Sequence, residues 1–259
     1  MKKLLVLLYG ITNYNFGSAA LVCLIAFLFN LIPANPYLNG IDAGETNDYI
    51  LSITINLFLI ALFGFQHSVM ARPRFKRWIS LHIPEAAERS TFMLATAVIT
   101  VALCLFWQPL PSIVWAAENT VLYNSLLGIG LSGWALVFYA TFLINHFDLF
   151  GLRQVWLYFR GEEYTQLPFQ LNSLYRYVRH PIMSGVFIGI WFTPIMTVGH
   201  LIFATGMSLY ILIGVYHEEK DLISAIGDRY LRYMKQTARF FPEISKRKLA
   251  DCDTQSGSA

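Results

Sequence analysis

Charge and hydrocarbon alternate along this chain in a pattern that leaves few folds open. All 19 lysines and arginines fall in four segments, 1–14, 71–89, 146–180 and 218–259. Between them run apolar stretches at about 15–33, 49–70, 90–107, 121–145 and 181–217, none of which holds a basic residue. A helix needs about 20 mostly apolar residues to cross a bilayer, and lysine and arginine collect on the cytoplasmic side. The first four runs each suit one span. The fifth is too long for one span and barely long enough for two, and Pro194 and Gly199 near its middle suit a tight turn between helices. Reading it as a hairpin of two short spans, rather than one kinked helix, leaves 34–48, 108–120 and 194–200 on the far side. Their only charges are Asp42, Glu45, Asp48 and Glu118. A five-span reading would carry the "KRK" of 246–248 across and break this segregation. The sequence therefore predicts an all-α, polytopic transmembrane helix bundle of about six spans, the last two a short hairpin, with both termini cytoplasmic.

Composition agrees: the chain is 56% hydrophobic and only 14% charged, against about a quarter charged in soluble domains. Sidedness accounts for the basic residues, which leaves no case for a nucleic-acid partner. Cys23, Cys104 and Cys252 are odd in number and far apart, so neither a disulfide framework nor a zinc spacing is present. "HFD" and "HEE" lack the spacing of a metal-ligand set, and no metal is expected. The opening "MKKLLVLLYG" has a short apolar core and no small-x-small cleavage site, and is expected to be retained. The organisation expected is a four-span bundle over 1–145, a cytoplasmic loop, hairpin and C-terminal segment forming a site over 146–248, and a flexible tail over 249–259.

Four polar clusters reach the same membrane surface in this topology: "FQHS" (65–68), "NHFDLFGLRQ" (145–154), "YRYVRHP" (175–181) and "YHEEKDL" (216–222). Ionisable groups converging at membrane depth mark function by default. Pro181 suits the first turn of a helix and disfavours helical geometry at His180. Arg179 and His180 then sit at a helix N-terminus, where free N–H groups attract anions and a guanidinium adds a forked donor. Alternatively Arg179 anchors a lipid headgroup. Glu218 and Glu219 end the last span, where the helix dipole disfavours them. Their counter-charge is either Arg179 or Lys220, or a cationic or hydroxyl-rich ligand. An anion site beside an acid pair suits a zwitterion carrying a ribose.

His146 and Asp148 are candidates for a base and its orienting carboxylate. On a regular helix their spacing points them apart, so they meet only if the chain leaves the helix, which Gly151 permits. Otherwise His146 caps the helix and Asp148 pairs with Arg153, itself a candidate to close the site or hold a carboxylate. His67, beside Gln66, is a second candidate base, or else bonds a carbonyl near its helix end. His82 and His200 carry no expected role, and His217 is expected only to pack.

"RHPIMSG" (179–185), "HEEKDL" (217–222) and "GDRYLRY" (227–233) resemble the isoprenylcysteine carboxyl methyltransferase superfamily, integral-membrane enzymes that use S-adenosylmethionine. Arg179, His180, Pro181, Gly185, Glu218, Glu219, Leu222, Gly227, Tyr230 and Tyr233 match its pattern; Met183 stands where the superfamily has an aromatic. "FGFQHSVMARPRFKRW" (63–78) and "NHFDLFGLRQVWLYF" (145–159) are similar to the bacterial methanethiol S-methyltransferases, which form dimethyl sulfide. The resemblance implies an S-adenosylmethionine pocket on Tyr175, Val178, Arg179, His180, Pro181, Met183, Gly185, Glu218 and Glu219. It implies a small-thiol pocket around 145–154, with His146, Asp148, Arg153 and His67 as catalytic candidates, facing the cytoplasm from a bacterial inner membrane. Prenylcysteine carboxylates or phospholipid amines are alternative acceptors within the superfamily. A non-enzymatic role, as in a related family associated with nitrogen-oxide respiration, is a further alternative. A thiolate is the competent nucleophile, so a base, or a site that stabilises the thiolate, would help.

Overall fold

The computed structural model describes residues 1–33, 38–46, 48–167 and 173–242; Cys252, the 246–248 cluster and the expected tail lie outside the described residues. The helices are α1 (Lys2–Leu28), α2 (Tyr49–Ala71), α3 (Pro73–Ile79), α4 (Glu88–Phe106), α5 (Thr120–Ile144), α6 (His146–Leu149), α7 (Leu152–Arg160), α8 (Pro181–Trp191), α9 (Val198–Ile226) and α10 (Asp228–Gln236). Two short strands, β1 (Ile113–Ala116) and β2 (Ile195–Thr197), and two single 3-10 turns complete the described elements. Among the described residues, α1, α2, α4, α5 and α9 are long and apolar enough to cross a membrane. The fold is a polytopic helical membrane bundle, as the sequence predicts, with one end basic and the other acidic.

At the acidic end the helices start on polar caps. The Asp48 carboxylate accepts from Leu51 N at 2.7 Å, the Asn119 side chain from Leu122 N at 2.9 Å and the Thr197 hydroxyl from His200 N at 3.1 Å. Each cap satisfies an N–H that the helix cannot. Asp42 ties this end together, accepting from Asn30 Nδ2 at 2.7 Å and from the Thr197 hydroxyl at 2.5 Å. His200, fully buried, lies 3.1 Å from the Ile190 carbonyl and links α9 to α8. Below these caps the core closes on Phe27, Trp107, Trp134, Ile190 and Phe203.

Helix α1 begins at Lys2 rather than near residue 15. The polar "TNYN" stays helical with Tyr14 Oη 2.8 Å from His146 Nε2 and Asn15 Nδ2 donating to the Ile11 carbonyl at 2.9 Å. The expected tight turn in the fifth apolar run is not one. Helix α8 has only 11 residues, about 16 Å, roughly half of a hydrocarbon core of about 30 Å. It ends beside Gly130, where any side chain would collide with the Phe192 carbonyl, some 15 Å into α5 by helical rise.

Residues 192–194 turn the chain out of α8, and 195–197 form the strand β2. β2 pairs antiparallel with β1, Ile113 opposite Thr197 and Ala116 opposite Ile195. Ala117 N donates to the Pro194 carbonyl at 2.8 Å, Val198 N to Ser112 O at 2.9 Å and Gly199 N to Leu110 O at 3.1 Å. The exposed side chains on the strand pair, Ile113, Val114 and Ile195, are apolar and suit lipid.

Helix α8 lies flat on α5. A methyl group at Gly185 would sit 2.6 Å from the Gly133 carbonyl oxygen, and one at Gly133 would sit 2.6 Å from Gly189 N. Only glycine lets two backbones approach so closely, the usual route to tight helix pairs in lipid. Helix α9, with 29 residues, is about 43 Å long. Its last turns, with Glu218 and Glu219, therefore stand beyond the hydrocarbon at the basic end, where α3, α6, α7 and α10 also lie.

Candidate functional site

The chain enters α8 through a short extended piece. Val178 forms an isolated bridge with Ala238, Arg179 N donates to Ala238 O at 2.8 Å, and His180 N donates to Arg239 O at 3.1 Å. Pro181 takes the first helical position, with His180 as the non-helical cap at φ −125°. Ser184 Oγ, 2.5 Å from the Phe240 carbonyl, fastens the same two segments. Arg179 and His180 are thus placed by backbone pairing with 238–240, a segment in which the sequence signals nothing beyond the basic residue of "ARF".

These pairings bring three charged elements together. Glu219, only 3% exposed, accepts on Oε1 from Arg179 Nε at 2.9 Å and Nη2 at 2.8 Å, and on Oε2 from Arg239 Nη2 at 2.5 Å. Arg179 is buried as well, and its Nη1 donates to the Met234 and Thr237 carbonyls. His180 Nε2 lies 3.3 Å from the same Glu219 oxygen, and its Nδ1 lies 3.6 Å from Glu218 Oε2. Burial first, and then the two guanidiniums, push the His180 pKa below the ordinary histidine value against the pull of Glu219. His180 is therefore neutral near pH 7. The Glu218 side chain is 53% exposed and that of Arg239 42%, so the cluster has a buried heart and an acid and a base at its rim.

Of the other residues expected here, Tyr175 gives its carbonyl to Tyr233 Oη at 2.6 Å, and burial raises both phenols above their ordinary range. Burial likewise pushes Tyr230 up to about 12. Val178 is buried in its bridge and Met183 is half-buried on α8. Gly185 is turned to α5: what it supplies is the close approach to Gly133 and Val137.

A second cluster forms where α5 ends. Asn145 adopts φ 149° and its side chain caps α6, accepting from Asp148 N at 3.1 Å. The break turns His146 inward, to 5% exposure. Its Nε2 lies 2.8 Å from Tyr14 Oη and its Nδ1 2.8 Å from Thr141 Oγ1, while the Thr141 hydroxyl donates to the Phe138 carbonyl at 2.7 Å. Phe142 stacks on the ring at 4.2 Å with 3° between planes, and Phe150 meets it edge-on at 4.8 Å. Burial lowers the His146 pKa.

His146 and Asp148 do not meet. Asp148 faces Arg153 at 2.9 Å and accepts from Tyr164 Oη at 3.2 Å; Arg153 also donates to Thr165 O at 2.8 Å and Thr165 Oγ1 at 3.1 Å. Two residues apart within the single turn of α6, their side chains point different ways. Among the described residues His67 meets no carbonyl: it packs against Phe63, Phe92 and Tyr210, with Thr96 Oγ1 at 3.5 Å.

The helices that lead to the two clusters, α5 and α8, pack on each other. Gly185 touches Val137. One turn further towards the basic end, the same antiparallel register sets Thr141 beside Pro181. Tyr14, Thr141 and Arg239 are residues that sequence reasoning passes over, although "TNYN" inside an apolar helix is a visible anomaly. Beyond them, a cleft of about 1200 Å³ opens between α3, the 80–89 segment, α7 and 162–166, lined by Lys76, Arg89, Gln154 and Tyr164 among others. Among the described residues, no group of three or more His, Cys, Asp or Glu could hold a metal ion.

No family profile and no solved structure matches the chain. Curated proteins do. A methanethiol S-methyltransferase of Mycobacterium tuberculosis is 40% identical over 93% of this chain and 98% of its own length. One from Crocosphaera subtropica is 39% identical over 95% of each. Nurim of Xenopus laevis is 28% identical over 76% of this chain and 73% of its own. With relatives of that identity along nearly its whole length, the chain belongs to the methanethiol S-methyltransferase family.

Proposed function

We propose that this protein transfers a methyl group from S-adenosylmethionine to methanethiol, forming dimethyl sulfide, at the cytoplasmic face of a bacterial inner membrane. The names of its relatives support the acceptor. The observation that carries the site is the Glu219 cluster at the start of α8. Arg179 and Glu219 fix its geometry, while Arg239 and Glu218 present opposite charges at the rim. That donor set fits a ligand carrying a carboxylate, an ammonium and hydroxyls: Arg239 and the open N–H groups of α8 suit the carboxylate, and Glu218 suits the ammonium or a ribose. When bound, S-adenosylmethionine supplies a methyl group activated by a sulfonium.

The chain's own residues bind, orient and shield. His180, neutral, has one N–H to offer and lies with Nε2 3.3 Å from Glu219 Oε1. Gly185 and Gly133 keep the start of α8 against α5. The Arg153–Asp148–Tyr164 network draws the 162–166 segment over the basic end. The positive-inside rule supports the cytoplasmic orientation, since the Lys and Arg residues gather at the end of the bundle where this cluster lies.

Two measurements test this. Purified protein in detergent is expected to bind S-adenosylhomocysteine by calorimetric titration, and Arg239→Ala or Glu218→Ala to weaken that binding about tenfold or more, the loss of one charged hydrogen bond. A folded protein with no binding would sink the methyltransferase reading. Isotopically labelled S-adenosylmethionine and methanethiol should yield labelled dimethyl sulfide in the headspace. Label appearing in lipid or in a prenylcysteine instead would replace the acceptor.

A further inference from the structure

We infer that Tyr14 is the group that meets the thiol and passes its proton to His146, a deepening that rests on the function proposed above. The argument starts from bookkeeping of one proton. The Thr141 hydroxyl has a single hydrogen and two neighbours that could take it, the Phe138 carbonyl at 2.7 Å and His146 Nδ1 at 2.8 Å; the relay assigns it to the carbonyl. Thr141 Oγ1 can then only accept from His146 Nδ1, 2.8 Å away. A neutral imidazole with its proton on Nδ1 has its lone pair on Nε2, and that nitrogen lies 2.8 Å from Tyr14 Oη. The chain of donors therefore runs in one sense, Tyr14 to His146 to Thr141 to Phe138.

Both ring nitrogens are occupied, and the ring itself is only 5% exposed, covered by Phe142, Phe147 and Phe150. No acceptor molecule reaches His146 directly. The half-buried Tyr14 oxygen, by contrast, keeps a lone pair free to accept once its own hydrogen is given to Nε2. A thiol placed there loses its proton by a paired shift. The S–H bond breaks and its proton goes to Tyr14 Oη, while the Tyr14 O–H proton goes to His146 Nε2. The electron pair stays on sulfur as thiolate. Tyr14 ends as it began, and His146 becomes imidazolium with Nδ1–H on Thr141 and Nε2–H on Tyr14, its ring stacked on Phe142. After the transfer the proton leaves by the same path, from His146 Nε2 to Tyr14 Oη while the Tyr14 O–H proton passes to water. Carried one turn past Gly185 and Val137, the α5–α8 register sets Thr141 level with Pro181, the residue after His180.

The charged and titratable groups around the ring leave the relay isolated. On α6 and α7, Asp148 and Arg153 satisfy each other at 2.9 Å; on α1, Tyr9 is bonded to Thr91 at 3.0 Å. Across α8, His180 and Arg179 are engaged with Glu218 and Glu219.

The test compares wild type with Tyr14→Phe. The variant is expected to bind S-adenosylhomocysteine within twofold of wild type and to lose about 10²-fold in kcat at pH 7, the usual range for a proton-transfer group. The deficit should shrink as pH rises toward the thiol's own ionisation, and should nearly vanish with an aromatic thiol already ionised at neutral pH. Equal loss for both thiols would assign Tyr14 a merely structural role and overturn the relay. So would an unchanged rate and pH profile. Nitrogen-15 spectra of the histidine-labelled, donor-free protein give a second reading that needs no variant. His146 is expected to carry its proton on Nδ1, and the opposite tautomer refutes the relay. A wild type that binds S-adenosylhomocysteine but makes no dimethyl sulfide overturns the acceptor and the relay together. An active wild type matched by Tyr14→Phe overturns the relay alone.

Discussion

Two guanidiniums share the one carboxylate of Glu219, and the consequences differ for the buried heart and the rim. Glu219→Gln keeps the shape but leaves Arg179 buried without its counter-charge; removing one partner of such a pair costs about 3–5 kcal/mol. Thermal unfolding in detergent should show a large fall in Tm for Glu219→Gln. Glu218→Gln, with its half-exposed side chain, should leave Tm nearly unchanged and lower ligand affinity instead. The histidines set a pH dependence with a definite sign. His146 and His180 both titrate below the ordinary value in the folded protein, so the unfolded chain binds protons first as pH falls. The stability this contributes is complete above the unfolded value of about 6.5 and is lost as pH drops toward the folded values. Scans of Tm between pH 8 and pH 5 should fall on the acid side, and His180→Gln should flatten part of that fall.

The α5–α8 pair shows how an element can matter to a site it does not face. Gly185 belongs to the sequence motif, yet its Cα is pressed on Gly133 and Val137. Gly185→Leu should push α8 off α5, costing about 1–3 kcal/mol in overpacking. It should also weaken S-adenosylhomocysteine binding by displacing the start of α8, which titration beside a thermal scan would show. Much here was legible in the sequence. Pro181 marked where a helix starts, the apolar runs marked the long helices of the bundle, and the acid pair was expected to return beside Arg179. The rest was not, for physical reasons. An apolar run such as "FTPIMT" reads alike as helix or strand until a partner edge is known, and that edge, Ile113–Ala116, lies far away in sequence. Arg239 and Tyr14 join the site through tertiary pairing alone. His146 and Asp148 share a motif, but the left-handed turn at Gly151, φ 89°, and the break at Asn145 send one inward and the other to Arg153.

At the scale of the whole molecule, the basic and acidic ends dictate which compartment each loop meets. In a cysteine-free background, Glu118→Cys should react with an impermeant maleimide added to intact cells, and Arg232→Cys only after permeabilisation; the reverse pattern would invert the orientation. The strand pair near the acidic end bears on how the protein is made. Residues 192–197 leave the ribosome late, and extended backbone entering lipid alone has no partner for its N–H and C=O groups. The β1 edge that receives it lies between α4 and α5, which emerge earlier. The last hairpin is thus no autonomous insertion unit. It is a guest admitted by a scaffold already in place, and the order of synthesis, N-terminal bundle first, is the order in which the molecule can be assembled.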